Sequence, residues 1–493
     1  MSSAKSNDKY QITKQLSQDI DALKKLLGGS ADLNTSEAEL SGVRCAVAAI
    51  EGMASAELLS ELVLRPLERL AKEAGGSGQR LFELLTSGAL LTADCTQPAD
   101  LREAAAMMFS GFAVVFVEGG GAAAYGVQGY DKKAVTEPSS EHNIMGSQEG
   151  FCEALRSNIS LVRRRMKTPA LRLEMLTVGR LTNTDVCLCY LSGRADSRMI
   201  ADIKRRLKAI ELDTLLASGT LKPFLEGREQ VGLFSEISAT ERPDVVCAKI
   251  NEGRAALIID GTPFALVCPS LFAESFRTVD DACSKPYFVI LMRLVRYIAF
   301  FFAVIFPGLY VAVANYHPEM LTLKLLLNLT ASERSTPYSL FVEMLIITVL
   351  LELMKEAAVR MPKAVGSAIS IAGGLVIGDA AVKSGIISSP LLIIVGLTAT
   401  ASFVIPGLAQ QSSALRLVYI CAGGAAGFFG IAVVSAMVMT NACASQEYGI
   451  PYTAPLLPFS RSGSVEILSR KSRERLQQEH TVVGNYSENA PSE

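Results

Sequence analysis

The sequence has few of the residues on which most catalytic and metal sites depend. Only three histidines occur in 493 residues, and the ten cysteines are scattered without a Cys-x-x-Cys pair. This pattern argues against a zinc site and against a secreted disulfide framework, and it favours a reduced compartment. The formal net charge of −2 gives no strong overall field for nucleic acid. No nucleophile–histidine–acid set or phosphate loop is recognisable, so we expect neither an enzyme nor a cofactor.

The N-terminal residues also lack the apolar core of a signal peptide. The first stretch, MSSAKSNDKYQITKQLSQDI, is mostly polar. We therefore expect the first membrane span to serve as the insertion signal. The soluble residues up to about 285 should then stay in the cytoplasm.

Apolar residues are abundant in the second half of the chain, where five long apolar segments lie between residues 287 and 440. A helix of roughly 20 apolar residues crosses the hydrocarbon core of a bilayer. The pattern predicts an α/β soluble N-terminal region of two subdomains, followed by an all-α membrane domain of four or five spans. The segments cover residues 288–316, 338–359, 364–382, 390–408 and 415–440.

Basic residues between the segments set the expected orientation, because cytoplasmic ends of spans are enriched in arginine and lysine. Five alternating spans keep these residues inside but place the C-terminal tail outside, although residues 461–475 of that tail are themselves basic. The charges leave two alternatives open: five spans, or four with one segment re-entrant or interfacial. The basic residues that flank the segments are Arg293, Arg296, Arg360, Lys363 and Arg416.

The soluble half alternates strand and helix patterns, which is typical of the α/β class. A polar stretch at 130–146 looks like a linker between two subdomains, and residues 28–40 look like another. The expected division is a polar helix and linker (1–40), a first subdomain (41–135), a second subdomain (136–285), a transmembrane domain (286–445), and an interfacial strap with a polar tail (446–493).

Two motifs of the soluble half each allow a functional and a purely structural interpretation. Gly119 to Gly121 separate two strand patterns, and we interpret them as a hairpin turn rather than a phosphate loop, since no Gly-Lys-Ser/Thr spacing follows. Arg163, Arg164 and Arg165 surround the apolar face of a helix. We interpret them as a solvated helix face, with contact to acidic lipid or to a partner subunit as the alternative.

Four long motifs lie in the second subdomain and the apolar segments. They resemble the GerA family, the A subunits of spore germinant receptors, and the resemblance covers about residues 100–460. A close branch of the family, the sporulation stage V AF type, contains accessory proteins linked to dipicolinate release, and both branches stay open. The motifs are ERPDVVCAKINEGRAALIIDGTPFALVCPSLF (241–272), FPGLYVAVANYHPEMLTLKLLLNLTASERSTPYSLFVEML (306–345), KEAAVRMPKAVGSAISIAGGLVIGDAAVKSG (355–385) and SFVIPGL (402–408).

The resemblance implies a homo-oligomeric protein in the lipid of the spore inner membrane. It also implies two partners, a transporter-like B subunit that binds nutrient and a lipoprotein C subunit. Family members are expected to couple nutrient sensing to ion release when germination begins. A non-conducting scaffold is the rival hypothesis, and a secondary transporter is disfavoured because no repeated halves are visible.

The second apolar segment has charges that suit an ion path. Glu352, Glu356 and Arg360 share one helical face, and Glu343 lies on roughly the opposite side. Charges at membrane depth are costly and usually face protein or water. We predict that Glu352 and Glu356 set cation preference, with Glu343 and Asp379 as further candidates. The alternative is that the last turn of this helix is simply solvated among lipid headgroups.

Two prolines are candidate hinges. Pro307 lies inside the first apolar segment and Pro406 ends the fourth. Proline removes a backbone donor, so neighbouring helices or water must satisfy the freed carbonyl at membrane depth. Such breaks also occur in static membrane helices, and both interpretations remain open.

Overall fold

Two antiparallel sheets organise the chain up to residue 278, and a group of helices follows them. The architecture comes from a computed structural model of the full chain. The described residues are 10–87, 94–129, 138, 141, 146–227, 232–278, 280–334, 336–360, 380–457 and 467–469.

The first sheet lies between two layers of helices. Side chains alternate across a strand, so Cys45 and Val47 face one helical layer, whereas Ala46 and Ala48 face the other. These four residues belong to strand β2 (Val43–Ile50), and burial of both of its faces explains the continuous apolar run from Cys45 to Ile50. The strands are β1 (Leu33–Leu40), β2 (Val43–Ile50), β3 (Cys95–Thr96), β4 (Phe112–Val117) and β5 (Gly121–Gly126), in the order β1-β2-β4-β5-β3. The helices are α1 (Leu16–Leu26), α2 (Ala56–Leu58, continued by a π-turn over Leu59–Leu64), α3 (Arg65–Glu73), α4 (Gly78–Thr86) and α5 (Leu101–Met108).

The edge strand β1 corrects the expected linker at residues 28–40. It pairs with β2 from Leu33 opposite Ile50 to Leu40 opposite Val43. Ser41 and Gly42, both with positive φ, form the tight turn between the two strands. An edge strand is half exposed and can be largely polar, so its sequence shows little hydrophobic alternation. Helix α1 and strand β1 therefore belong to the first sheet, and the predicted boundary at residue 40 is wrong.

The second sheet repeats this arrangement, and two of its strand pairs are hairpins with tight turns. Asn183 lies in the turn between the first two of its strands, and Gly261 lies in the turn between the last two long ones. The glycine turn at 119–121 of the first sheet is likewise a hairpin turn. The strands are β6 (Leu171–Val178), β7 (Thr184–Leu191), β8 (Ser238–Thr240), β9 (Ala255–Ile259) and β10 (Ala265–Cys268), in the order β6-β7-β9-β10-β8. The helices are α6 (Leu155–Arg165), α7 (Ser197–Lys208), α8 (Lys222–Leu225) and α9 (Pro243–Asn251).

Helices make up nearly all of the described chain beyond the second sheet. Within the described ranges, two apolar stretches are long enough to cross a membrane, Pro286–Val304 and Pro406–Ala444. The predicted third segment, 364–382, lies almost entirely outside the described residues. The helices are α10 (Asp280–Cys283), α11 (Pro286–Val304), α12 (Phe306–Tyr316), α13 (Leu323–Glu333), α14 (Leu340–Arg360), α15 (Ser389–Phe403) and a final helical pair, Ala409–Ala444.

This final pair, here called the C-terminal hairpin, corrects the prediction of one span over 415–440. Gly427 interrupts the helix with φ 59° and ψ −139°, a conformation that is essentially restricted to glycine. The hydroxyl oxygens of Tyr419 and Ser435 lie 3.0 Å apart. In a straight helix, 16 residues would separate them by about 24 Å. The chain therefore folds back at Gly427 into two antiparallel legs, residues 409–426 and 428–444.

The second leg returns the chain to the second sheet. The backbone N–H of Leu233, before β8, donates to the Asn441 side-chain oxygen at 3.0 Å. A short hairpin of β11 (Gln446–Glu447) and β12 (Ile450–Pro451) follows, and Phe272 N–H donates to the Tyr452 carbonyl at 3.0 Å. The end of the C-terminal hairpin thus lies against the sheet that precedes α11.

Candidate functional site

A cluster of charged side chains lies where α14 meets the first leg of the C-terminal hairpin. Glu352 Oε1 is 2.8 Å from Arg416 Nη1 and 3.2 Å from Lys355 Nζ. Its second oxygen accepts a hydrogen bond from Ser413 Oγ at 3.0 Å. Arg416 is only 1 % exposed. We call Glu352, Lys355, Ser413 and Arg416 the charged centre.

Pro307 explains why an arginine is buried in the charged centre. Proline has no N–H, so the carbonyl of Ala303, four residues earlier, loses its partner in the helix. Arg416 Nε donates to that carbonyl at 2.7 Å. The helix break between α11 and α12 is therefore tied through Arg416 to Glu352. Breaking such a buried pair would leave an uncompensated charge among apolar side chains.

The acidic face predicted for α14 divides into two environments. Glu352 turns toward the hairpin, whereas the Glu356 side chain is 62 % exposed and pairs with Arg360 at 2.5 Å. Asp379 lies outside the described residues. The structure thus places Glu352, but not Glu356, in contact with a neighbouring helix.

Glu343 lies on the opposite side of α14, as its spacing predicts. Its side chain is 0 % exposed, and Oε2 accepts the Ser388 N–H at 3.1 Å. Ser388 is the N-cap of α15, so this carboxylate lies at the positive end of a helix dipole. Pro406 opens a short 3₁₀ turn that joins α15 to the C-terminal hairpin.

Close contact between α12 and the first hairpin leg holds the charged centre in place. A Cβ atom on Gly308 would lie 2.3 Å from the Tyr419 carbonyl oxygen, and one on Gly423 would lie 2.3 Å from the Gly308 carbonyl oxygen. Only glycine permits this approach of two backbones. The Tyr316 hydroxyl lies 2.9 Å from two carbonyl oxygens at the end of that leg, those of Gly424 and Ala425. Carbonyls at a helix end lack a partner in the helix, and Tyr316 supplies one.

A second ionic cluster joins α9, the residue before β9 and the segment after β10 in the second sheet. Arg254 is completely buried and bonds the Pro269 carbonyl at 2.9 Å and the Glu274 carboxylate, which also lies 2.9 Å from Lys249 Nζ. Burial alone would raise the pKa of Glu274. The opposing charges and hydrogen bonds of Arg254 and Lys249 instead hold that pKa well below its ordinary value of 4.5.

Three residues join α10 and α11 in a similar way. Asp281 lies 2.8 Å from Arg293 and 3.0 Å from Arg296. Burial opposes ionisation, but the two arginines outweigh it and lower the pKa of Asp281. The beginning of α11 is therefore fixed to the segment that leaves the second sheet.

Arg163 corrects the prediction of a solvated helix face. It is 1 % exposed, and its Nε donates to Asp32 at 2.7 Å. Its guanidinium also lies 5.0 Å from the centre of the Phe109 ring. The neighbouring Arg164 and Arg165 both pair with Glu149. The pair of Arg163 with Asp32 joins the two sheet units of the soluble half.

The described residues do not suggest a metal centre. Among them, no group of three or more His, Cys, Asp or Glu side chains is placed to hold a metal ion. None of the ten cysteines, all of which lie in the described ranges, is in a disulfide, and Cys187 and Cys189 lie 3.7 Å apart, sulfur to sulfur, on one face of β7.

The sequence model of the family described as "Bacillus/Clostridium GerA spore germination protein" matches residues 21–481. The chain belongs to the GerA family. Its relatives include "Spore germination protein KA" of Bacillus subtilis (strain 168), which is 35 % identical over 465 residues, 93 % of this chain and 85 % of the relative. "Spore germination protein B1" of the same organism is 31 % identical over 452 residues, 91 % of this chain and 92 % of the relative.

A membrane protein and a solved domain are also similar to this GerA-family chain. "Uncharacterized membrane protein YfkQ" of Bacillus subtilis (strain 168) is 34 % identical over 469 residues, 94 % of this chain and 90 % of the relative. The crystal structure of the N-terminal domain of the A subunit of the Bacillus megaterium spore germinant receptor GerK3 is 28 % identical. It covers 53 % of this chain and 97 % of that domain, with a TM-score of 0.43. The family that the sequence motifs predicted is therefore confirmed.

Proposed function

We propose that this GerA-family chain is the A-type subunit of a germinant receptor in the spore inner membrane, where it couples nutrient sensing to ion release as a homo-oligomeric channel. One observation carries the channel proposal: Glu352, on an apolar helix, is neutralised by Arg416, which also satisfies the carbonyl freed by Pro307. A carboxylate on an apolar helix costs free energy, and charged residues in such positions usually have a functional role. The proposed partners are a transporter-like B subunit and a lipoprotein C subunit.

The charged centre suggests how such a channel would open. Arg416 pairs with the Glu352 carboxylate, so this carboxylate is not available to a cation that moves along the path. A shift of the C-terminal hairpin relative to α12 and α14 would break the bonds of Arg416 to the Ala303 carbonyl and to Glu352. Glu352 would then face the path, together with Glu356 at the exposed end of α14. Pro307 is the hinge in this mechanism, and Pro406, in the turn that joins α15 to the hairpin, is a second hinge.

The C-terminal hairpin also bears on the proposed topology. Each leg is about 26 Å long at 1.5 Å per residue, close to the thickness of a bilayer core. We propose that the hairpin crosses the membrane outward and back, after the four preceding apolar segments. The N-terminal half and the basic C-terminal tail then both lie in the cytoplasm, in agreement with the distribution of arginine and lysine.

Ion flux through liposomes that contain the purified full-length protein tests the channel proposal. Glu352→Gln and Glu356→Gln should each lower the preference for cations over anions, since each removes one negative charge from the proposed path. Glu68→Gln serves as the control, because Glu68 is an exposed residue of the soluble half that pairs with Lys72. Unchanged conductance and selectivity in both path variants would contradict the proposal.

A non-conducting scaffold is the second candidate, and the outer face of α11 favours it. Leu291 and Leu294 are about half exposed, as is Ile298, and they form an apolar surface on which another membrane subunit could pack. A correctly assembled oligomer that carries no flux in the same liposomes would support the scaffold. Flux that depends on Glu352 would support the channel.

A further inference from the structure

Three buried oxygen atoms on α12, on α14 and at the start of α15 have no hydrogen-bond partner among the described residues, and the helices that carry them pack in one apolar cluster. Glu343 Oε1, Ser388 Oγ and Tyr310 Oη are each inaccessible to solvent and make no hydrogen bond within the described part of the chain. The Glu343 and Ser388 side chains are fully buried, and the first is bonded to the backbone of the second. Buried polar atoms in native proteins are almost always satisfied, so these three indicate a missing ligand.

The charges around Glu343 narrow the choice of ligand. No lysine or arginine of the described residues pairs with it, and the groups in electrostatic contact are Tyr310 on α12 and Glu333 on α13. A buried carboxylate must be neutralised by a proton or by a cation. Oε2 already accepts the Ser388 N–H at the N-terminus of α15, so Oε1 is the carboxylate oxygen left to bind a cation.

We propose that Glu343 Oε1, Ser388 Oγ and Tyr310 Oη form a binding site for an alkali-metal cation. The donors are all oxygen atoms, the ligands that hard cations prefer. The site holds one fully buried carboxylate, and that charge balances a single positive charge. The three ligands come from three different helices, so the site is complete only when those helices are packed together.

The site deepens the proposed function, because an ion bound between α12 and α14 would stabilise the same packing that holds the charged centre. Binding is separable from conduction. A protein that conducts nothing could still bind the ion, and a channel could lack this site.

Thermal unfolding of the full-length protein in detergent, followed by circular dichroism, tests the site. Choline chloride is replaced by sodium or potassium chloride at constant ionic strength, because choline is too large to enter. A ligand that binds only the folded state raises the midpoint of unfolding, so we expect a saturable rise of a few degrees. Glu343→Gln, which keeps the shape of the side chain, should abolish the rise. Glu68→Gln, in an exposed ion pair of the soluble half, should retain it.

Ser388→Ala provides a second variant in case Glu343→Gln fails to fold. It removes one ligand and should move half-saturation to a higher salt concentration. A wild-type protein with no saturable rise would overturn the proposal, as would an equal rise in Glu343→Gln or an unchanged half-saturation in Ser388→Ala. Stabilisation on acidification alone, with no response to either cation, would show a protonated carboxyl and would also overturn it.

Discussion

Glu274 lies between two cationic side chains at the point where the second sheet gives way to α10 and α11. Arg254, which is fully buried, and Lys249 both bond its carboxylate. They lower the pKa of Glu274 well below 4.5, against the opposing effect of burial. A carboxyl with a lowered pKa in the folded state stabilises the fold above its unfolded pKa. That stabilisation is lost as the pH falls below about 4.5 toward the folded-state pKa.

Glu274→Gln should therefore change how stability depends on pH. At neutral pH it should cost about 3–5 kcal/mol, because the Arg254 charge stays buried without its partner. Between pH 7 and pH 3, the midpoint of thermal unfolding should fall less in Glu274→Gln than in the wild type. Circular dichroism of the full chain measures both effects. Glu68→Gln, in an exposed ion pair, is the control, and an equal acid sensitivity in Glu274→Gln and wild type would contradict the prediction.

Arg163 shows why sequence patterns locate a residue on a helix without identifying its partner. The apolar face expected for this helix is present in α6, where Leu155, Ile159 and Val162 pack into the core of the second sheet unit. The partner of Arg163 is Asp32, which is 131 residues away in the chain. Asp32 precedes the polar edge strand, in a stretch whose sequence resembles a linker. Missing that strand therefore also meant missing the ion pair that joins the two sheet units.

At the scale of whole elements, the alternation of strands and helices in the soluble half was predictable except for the edge strand β1, and the C-terminal hairpin was not. The turn at Asp260-Gly261 is polar and contrasts with the strands around it. Gly427, by contrast, turns the chain inside an apolar run, where hydropathy does not change. The available signal was the spacing of Gly423, Gly427 and Gly430, which also suits close packing of straight helices.

A cysteine pair should establish the C-terminal hairpin directly. Cysteines at positions 419 and 435 should be joined by a short bifunctional thiol cross-linker in a variant in which Cys421 and Cys443 are replaced by serine, since the native hydroxyl oxygens lie 3.0 Å apart and the tyrosine ring sets the spacing that the cross-linker must bridge. A pair at positions 419 and 437 is the control, because Met437 is 65 % exposed. Mobility on a non-reducing gel after cleavage between the two sites measures the cross-link.

Gly427→Ala should reduce the yield of the 419–435 cross-link. Residues other than glycine pay about 1–3 kcal/mol in the backbone region that Gly427 adopts. A continuous straight helix would keep the two cysteines about 24 Å apart. Equal cross-linking of the 419–435 and 419–437 pairs, or no effect of Gly427→Ala, would argue against the turn.

At the scale of the whole molecule, the second sheet holds both ends of the helical region. Asp281 and its two arginines fix the beginning of α11. After the C-terminal hairpin, Glu447 lies 2.9 Å from Arg206 on α7, and Tyr448 donates to the Leu225 carbonyl at 2.9 Å. The division into soluble and apolar halves was evident from composition, but the contacts of Glu447 and Tyr448 were not, because they join residues more than 200 positions apart. A movement of the second sheet would therefore displace both the beginning of α11 and the end of the C-terminal hairpin.

Glu447→Gln should weaken this connection without changing either half. The substitution removes the charge that pairs with Arg206, at a cost of about 1–3 kcal/mol. Calorimetry of the detergent-solubilised full chain should show one unfolding transition in the wild type and a second, separate transition in the variant, because the two halves would no longer unfold together. Arg205→Met is the matched control, since Arg205 is adjacent on α7 but largely exposed and pairs only within its own helix with Asp202. If Glu447→Gln and Arg205→Met unfold alike, the pair of Glu447 with Arg206 does not make the two halves unfold together. The contacts of Asp281 with the beginning of α11 would then be the ones that connect the unfolding of the two halves.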